Sequence, residues 1–194
     1  MKKNLFIVAS LFATTLLFSF KSIEPSTWSL DRSHSNLRFS ITHLMVNDIE
    51  GGFSKFESKI TATKEDLSDA SLTMSADAAS IFSGDEKRDG HLKTADFFDV
   101  EKYPTITFKS TSFTKSGENN YKIIGDLTMH GVTKSIVLEA TIKSGKNPMS
   151  QKDIKGCKII GTINRADFDI ASKMPSMMLS NEVAIVANAE FSKN

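Results

Sequence analysis

Tyr121-Lys122-Ile123-Ile124-Gly125-Asp126-Leu127-Thr128-Met129-His130-Gly131-Val132-Thr133-Lys134-Ser135-Ile136-Val137-Leu138-Glu139-Ala140-Thr141-Ile142 decides the fold. Tyr121, Ile123, Gly125, Leu127 and Met129 alternate with mostly polar neighbours. After His130-Gly131, Ile136, Leu138, Ala140 and Ile142 resume the same alternation. Successive side chains on a strand point to opposite faces, so each run marks a strand with one apolar face. A glycine between two such runs marks a turn. The stretch predicts an antiparallel hairpin.

The same period extends outward in both directions. Upstream lie Leu37-Phe39-Ile41-His43-Met45, Phe56-Ser58-Ile60, Leu72-Met74-Ala76-Ala78 and Ile106-Phe108, each opposed by a wetter face. Downstream, Ile159 to Arg165 and Val183 to Phe191 complete the set. Gly51-Gly52, Ser116 to Asn120 and Ser144 to Pro148 read as turns between strands. About eight strands joined by short connections predict an all-β fold, an antiparallel barrel or sandwich. Residues 83–100 break the pattern with helical spacing. Ser83 is the expected cap, Asp85 and Glu86 suit a helix N-terminus, and Gly90 divides the segment into two short pieces. Phe97-Phe98 then supplies an apolar plug, so the insert reads as a lid or end-cap. With neither repeat nor linker, the chain is a single domain.

Composition narrows the function classes. The 194 residues carry 24 Lys+Arg and 23 Asp+Glu, a net charge of +1, with no basic stripe to grip nucleic acid. One cysteine, Cys157, excludes an internal disulfide and reads as an inert buried thiol. His34, His43, His91 and His130 show no metal-ligand spacing, so neither metal nor cofactor is expected. Met1 to Asn4 forms a basic head, and Leu5 to Phe20 is uncharged until Lys21. That is the shape of a secretory signal, its apolar core shorter than the ~20 residues of a spanning helix. Residues 1–22 are therefore expected to be a signal peptide and 23–194 the exported barrel domain. An uncleaved anchor is the alternative. The remaining chain would carry a net charge of −2.

Six blocks in order carry a resemblance. Trp28-x-Leu30-Asp31-x-x-His34-Ser35, Phe39-x-Ile41-x-His43-Leu44 and Gly51-Gly52-Phe53 resemble the opening of the YceI-like family. Arg88-Asp89-x-His91-Leu92 with Asp96-Phe97-Phe98-Asp99, and Tyr103-Pro104-x-Ile106-x-Phe108, continue it. Gly125-Asp126-Leu127-Thr128-x-x-Gly131-x-Thr133-Lys134 and Arg165-x-Asp167-Phe168-x-Ile170 follow, ending in Glu182-Val183. Asp169 and Ser180 stand where the family commonly has glycine; both read as turn positions, and Asp adopts the left-handed conformation at some cost. The resemblance implies a lipocalin-like antiparallel barrel of about eight strands with a short helical insert. It implies a polyisoprenoid, such as an isoprenoid quinone or polyprenyl phosphate, held inside, together with bacterial export to a periplasmic or secreted location and no catalytic activity.

On that barrel the expected ligand wall is Phe39, Ile41, His43 and Phe56, the plug Phe97 and Phe98, then Ile106 and Phe108. Ile123, Gly125, Leu127, Leu138 and Ile185 complete it. Gly125, Ala140, Gly161, Ala187 and Ala189 are expected to leave room, the alternative being a dry, tapering core. His43 shares a stripe with Phe39 and Ile41 and reads as an inward, hydrogen-bonded core residue. Asp31, His34 and Ser35 share a turn without an oxyanion-hole motif, so no catalytic residue is assigned. Arg88, Asp89 and His91 read as a network holding the insert, with Arg165 a second structural charge. Their functional reading makes Arg88, His91 and Arg165 the head-group candidates, since arginine suits phosphate oxygens. The Met174 to Met178 loop is adaptable apolar material, a gasket or ordinary packing. The expectation is an exported carrier of a long-chain isoprenoid, compatible with transient membrane contact and with a homodimer. The alternatives are an enzyme on a lipid or small amide using His43 or His34, and an interaction module with a filled core.

Overall fold

The computed structural model describes residues 24–194; the expected signal segment 1–22 lies outside the described residues. The strands are β1 (Ser26–His43), β2 (Asn47–Phe53), β3 (Phe56–Ala62), β4 (Ser71–Asp77) and β5 (Ile81–Phe82). After the helix α1 (Glu86–Leu92) come β6 (Thr105–Lys115), β7 (Asn120–Met129), β8 (Val132–Lys146), β9 (Asp153–Asn164) and β10 (Leu179–Lys193). All pairings are antiparallel, in the order β10-β9-β8-β7-β6-β4-β3-β1, and β10 pairs back onto β1. β3 runs beside Ser26 to Ser29 and β2 beside Leu37 to His43, so the two share one position. The result is the closed eight-stranded barrel expected, and closure leaves no long sheet edge exposed.

The apolar stripes face inward. On β7, Tyr121, Ile123, Gly125, Leu127 and Met129 are all buried, and on β8 Leu138, Ala140 and Ile142 are. The connection between them, His130-Gly131, takes positive φ at both residues, as a tight hairpin requires. At one end of the barrel, here the floor, Trp28, Phe113, Tyr121, Ile142 and Cys157 form buried core. The Phe113 and Tyr121 rings lie 5.4 Å apart, the Tyr121 hydroxyl donates to the Asp66 carbonyl, and Lys155 Nζ sits 4.6 Å from the Trp28 ring centre. The other end, the mouth, gathers the β1–β2 turn, residues 83–104, the β7–β8 turn and the loop 165–178.

The structure corrects several expectations. Gly51 and Gly52 lie inside β2, not in a turn, and the hairpin is made by Leu44, Met45 and Val46, which removes Met45 from the stripe. The Gly51 backbone passes so close to the Phe39 ring and the Phe82 carbonyl that a Cβ there would collide with both. β8 runs on to Lys146, and the following turn starts at Asn147, whose Oδ1 accepts from the Met149 and Ser150 amides. A bulge at Thr111 in β6 reverses the parity, so Phe113 rather than Ser112 is buried. The insert forms one helix capped by Asp85, not Ser83, and continues as turns instead of a second helix. Asp169 adopts the left-handed conformation at φ 57°, as expected for a turn, whereas Ser180 belongs to β10.

Candidate functional site

The barrel encloses a cavity of about 620 Å³ that runs from the mouth down to Leu30 and Phe191. That lies within the ~300–1,000 Å³ common for small-molecule sites. β1 contributes Leu37, Phe39 and Ile41, and β10 contributes Val183, Ile185, Ala187 and Ala189. Leu92, Phe97 and Phe98 close over them from the insert. The wall is overwhelmingly apolar, so what it can do chemically is exclude water from a hydrocarbon.

Of the residues expected on this wall, Phe39, Ile41, His43, Phe56, Phe97, Phe98, Ile106, Phe108, Leu127, Leu138 and Ile185 lie on it. Ile123 and Gly125 do not. Ile123 is 0% exposed, covered by its packed neighbours, and the space over Gly125 is taken by the Phe108 ring, which a Cβ would strike. Gly161 is covered in the same way by Leu138, and Ala140 is buried away from the cavity. Only Ala187 and Ala189 among the small residues border open volume. A missing side chain in a close-packed barrel is an invitation to a neighbour before it is a void. Val183, Ile163 and Met129 also line the cavity and were legible from the inward stripes; Phe53 and Leu92 were not.

The insert is fastened by a small polar network. Asp85 Oδ1 accepts from the Arg88 amide at 2.8 Å, and Arg88 donates from Nε to Ser83 Oγ and from Nη2 to the Ser83 carbonyl. Ser83 Oγ donates in turn to Asp89 Oδ1 at 2.5 Å. His91 lies 3.5 Å from Asp96 and sets its ring edge-on to Phe97. Phe53 bridges the Phe39 and Phe98 rings, and the Ala171 amide donates to the Asp96 carbonyl, tying the insert to the loop 165–178. Arg88 and His91 both border the cavity.

Arg165 borders it too but has nothing left to give. Only 2% exposed, it donates Nε to Ser180 O, Nη1 to Ile170 O and Ala171 O, and Nη2 to Met174 O and Leu179 O. All five N–H groups end on backbone carbonyls, and burial lowers its pKa. This fits the structural-charge reading and removes its donors from any head group. His43, expected in the core, is exposed at the end of β1.

Asp31 and His34 flank a bulge within β1 rather than a turn. His34 Nδ1 lies 3.0 Å from Asp31 Oδ2, while Ser33, not Ser35, donates its hydroxyl to Asp31 Oδ1. Ser35 Oγ donates to the Asp31 carbonyl, away from the imidazole. Hydrogen bonds from Ser33, then His34, hold the Asp31 carboxyl at about 2, and the bond to Asp31 raises the His34 pKa. Glu190 completes a group whose ligand atoms lie within 4.8 Å of one another. Asp31, His34 and Glu190 are not on the cavity wall. His130 bonds the Phe168 carbonyl, so the four histidines stay dispersed among the described residues. Cys157 is buried, its thiol pushed up to about 12.

The model of the YceI-like domain matches residues 28–191. A UPF0312 protein of Staphylococcus aureus strain N315 is 34% identical over 172 residues, spanning 86% of this chain and 98% of its own. Among solved structures, the Campylobacter jejuni YceI protein superposes with a TM-score of 0.72 at 26% identity, over 97% of this chain and 99% of its own. A polyisoprenoid binding domain from Saccharophagus degradans shares the fold at a TM-score of 0.67 and 15% identity, over 86% and 98%.

Proposed function

Since the chain belongs to the YceI-like family, we propose that its cavity holds the tail of one long apolar molecule, an isoprenoid quinone or a polyprenyl phosphate, and that the protein is exported to carry or sequester it. The observation that carries this reading is the apolar cavity of about 620 Å³, open toward the mouth above a packed floor. Each methylene buried there gains ~0.8 kcal/mol relative to water. A bilayer offers nearly the same gain, so selectivity rests on the shape of the wall and on the head group. With the floor filled, the tail enters first and the head group stays at the mouth, beside Arg88 and His91. Ser83 takes two of the five N–H groups of Arg88, which leaves donors for phosphate or carbonyl oxygens. The fold neighbour from Saccharophagus degradans, described as a polyisoprenoid binding domain, supports the same ligand chemistry. No catalytic step is proposed, because the Asp31–His34 pair lies off the cavity wall and Ser35 turns away from it.

The test is mass spectrometry of organic extracts from the purified protein. A stoichiometric isoprenoid is expected. A turned-over product in its place supports an enzyme, and protein that neither co-purifies with nor takes up an added prenyl lipid sinks the carrier reading. Intact mass checks export: the mature chain is expected to begin between Phe20 and Thr27, and retention of Met1 rejects cleavage.

A further inference from the structure

We infer that the rim of the cavity docks onto the face of a lipid bilayer. Eight large apolar side chains are exposed among the described residues, and five of them, Leu44, Met45, Val46, Met177 and Met178, lie on two loops at the mouth. Met45, Val46 and Met177 are 72%, 83% and 64% exposed. The loops form one surface: His43 pairs with Leu179, and the Leu44 amide donates to the Met178 carbonyl at 3.0 Å. Single exposed apolar residues need no explanation, but a cluster on a monomer marks an interaction site.

The turn sequence points the same way. Leu44 and Met45 hold φ of 51° and 62°, a region where Asn or Gly is far cheaper. A hairpin that only had to reverse direction has better residues available; Leu-Met-Val places three apolar side chains at its tip instead. The two apolar tips are themselves almost free of charge, although residues 83–104 beside them at the mouth hold six carboxylates against four Lys and Arg. Residues 43–47 and 170–179 contain one formal charge, Lys173, and no carboxylate, in a chain that is 24% charged. The neighbouring Asp48 is engaged by the Thr42 hydroxyl at 2.7 Å. Apolar tips entering the head-group layer beside a cation are the usual arrangement of interfacial binding, and flexible methionine suits a fluid partner. Docking sets the opening directly on the bilayer, so a tail passes between them without crossing water. The choice of a bilayer as occupant rests on the carrier reading; the docking test itself does not.

Cys157 is buried and unreactive, which permits a single introduced label. In the full chain, Val46→Cys or, at the floor end, the exposed Met149→Cys is coupled to an environment-sensitive fluorophore. Vesicles of phosphatidylethanolamine with phosphatidylglycerol are expected to shift emission to the blue at position 46 and not at 149. Met45→Asp with Met177→Asp, added to the Val46→Cys chain, is expected to raise the lipid needed for half the shift by about tenfold or more. The inference falls if position 46 does not respond, if both positions respond alike, or if the aspartates change nothing. It also falls if the shift at 46 follows protein concentration without lipid, which assigns the rim to a second copy. Neither Met45 nor Met177 is on the cavity wall, so extracted isoprenoid per mole is expected to stay at the wild-type level in the aspartate chain. Failed docking with retained ligand therefore rejects the rim alone, and docking by a wild-type protein that takes up no isoprenoid rejects the carrier alone.

Discussion

The five N–H groups of Arg165 do for residues 170–180 what a partner strand does for an edge: they collect carbonyls of the loop and of the first two residues of β10. A lysine has three donors on one atom and cannot span that set. Arg165→Lys is expected to cost about 3–5 kcal/mol, because carbonyls buried around a charge lose their partners. Thermal unfolding reads this directly, and an unchanged midpoint contradicts the clasp. A second residue-scale prediction concerns pH. The folded pKa of Asp31 is depressed to about 2, so its contribution stands above the ordinary carboxylate value and is lost as pH falls through about 2. His34 is shifted upward, so its contribution is present below its ordinary value of 6.5 and is lost as pH rises through the raised one. The pair therefore stabilises most from the ordinary carboxylate range up to the ordinary histidine value, and salt weakens it because His34 is exposed and Asp31 only half-buried. Asp31→Asn is expected to return His34 toward 6.5 in an NMR titration; an unmoved histidine would assign the shift elsewhere.

At the scale of elements, alternation alone was enough for the β7–β8 hairpin, because its faces differ and its turn contains glycine. It was not enough at β6, where the extra residue at Thr111 exchanges the faces in mid-strand, nor at β9, whose inward Lys155 interrupts the stripe before Ile159. Turn chemistry misled at Gly51-Gly52, where absent side chains make way for an aromatic ring, and was silent at Leu44-Met45-Val46. Parity likewise says that Ile123 and Gly125 face inward but not which neighbours cover them, and packing (the Phe108 ring over Gly125) takes them off the cavity wall. Nothing in a sequence shows that a guanidinium is already spent. Gly125→Ala is therefore expected to destabilise the barrel by about 1–3 kcal/mol, as its Cβ meets the Phe108 ring and the Lys109 carbonyl. Ala187 borders open volume, so Ala187→Trp is expected to leave the protein folded while lowering extracted isoprenoid. Equal destabilisation by both changes would mean that no cavity exists beside Ala187.

For the molecule as a whole, the packed floor would make the barrel a length gauge for the proposed tail. From Val183 to Phe191 the β10 wall covers about 26 Å at ~3.3 Å per residue, less along the axis of a barrel whose strands tilt by ~35–45°. A tail held as proposed would descend that far and stop above the buried Trp28, Phe113 and Tyr121. Surplus units remain outside, each methylene there forgoing ~0.8 kcal/mol. Across prenyl compounds ordered by unit number, affinity is expected to climb to one length and then level off. Phe113→Ala, by lowering the stop, is expected to move that break to a longer tail; affinity that keeps climbing past every length would mean that the tail leaves through the floor. If the proposed tail is held this way, the protein would sort chains of identical chemistry by counting their repeats, as a ruler does, with its zero mark set by a tryptophan, a phenylalanine and a tyrosine.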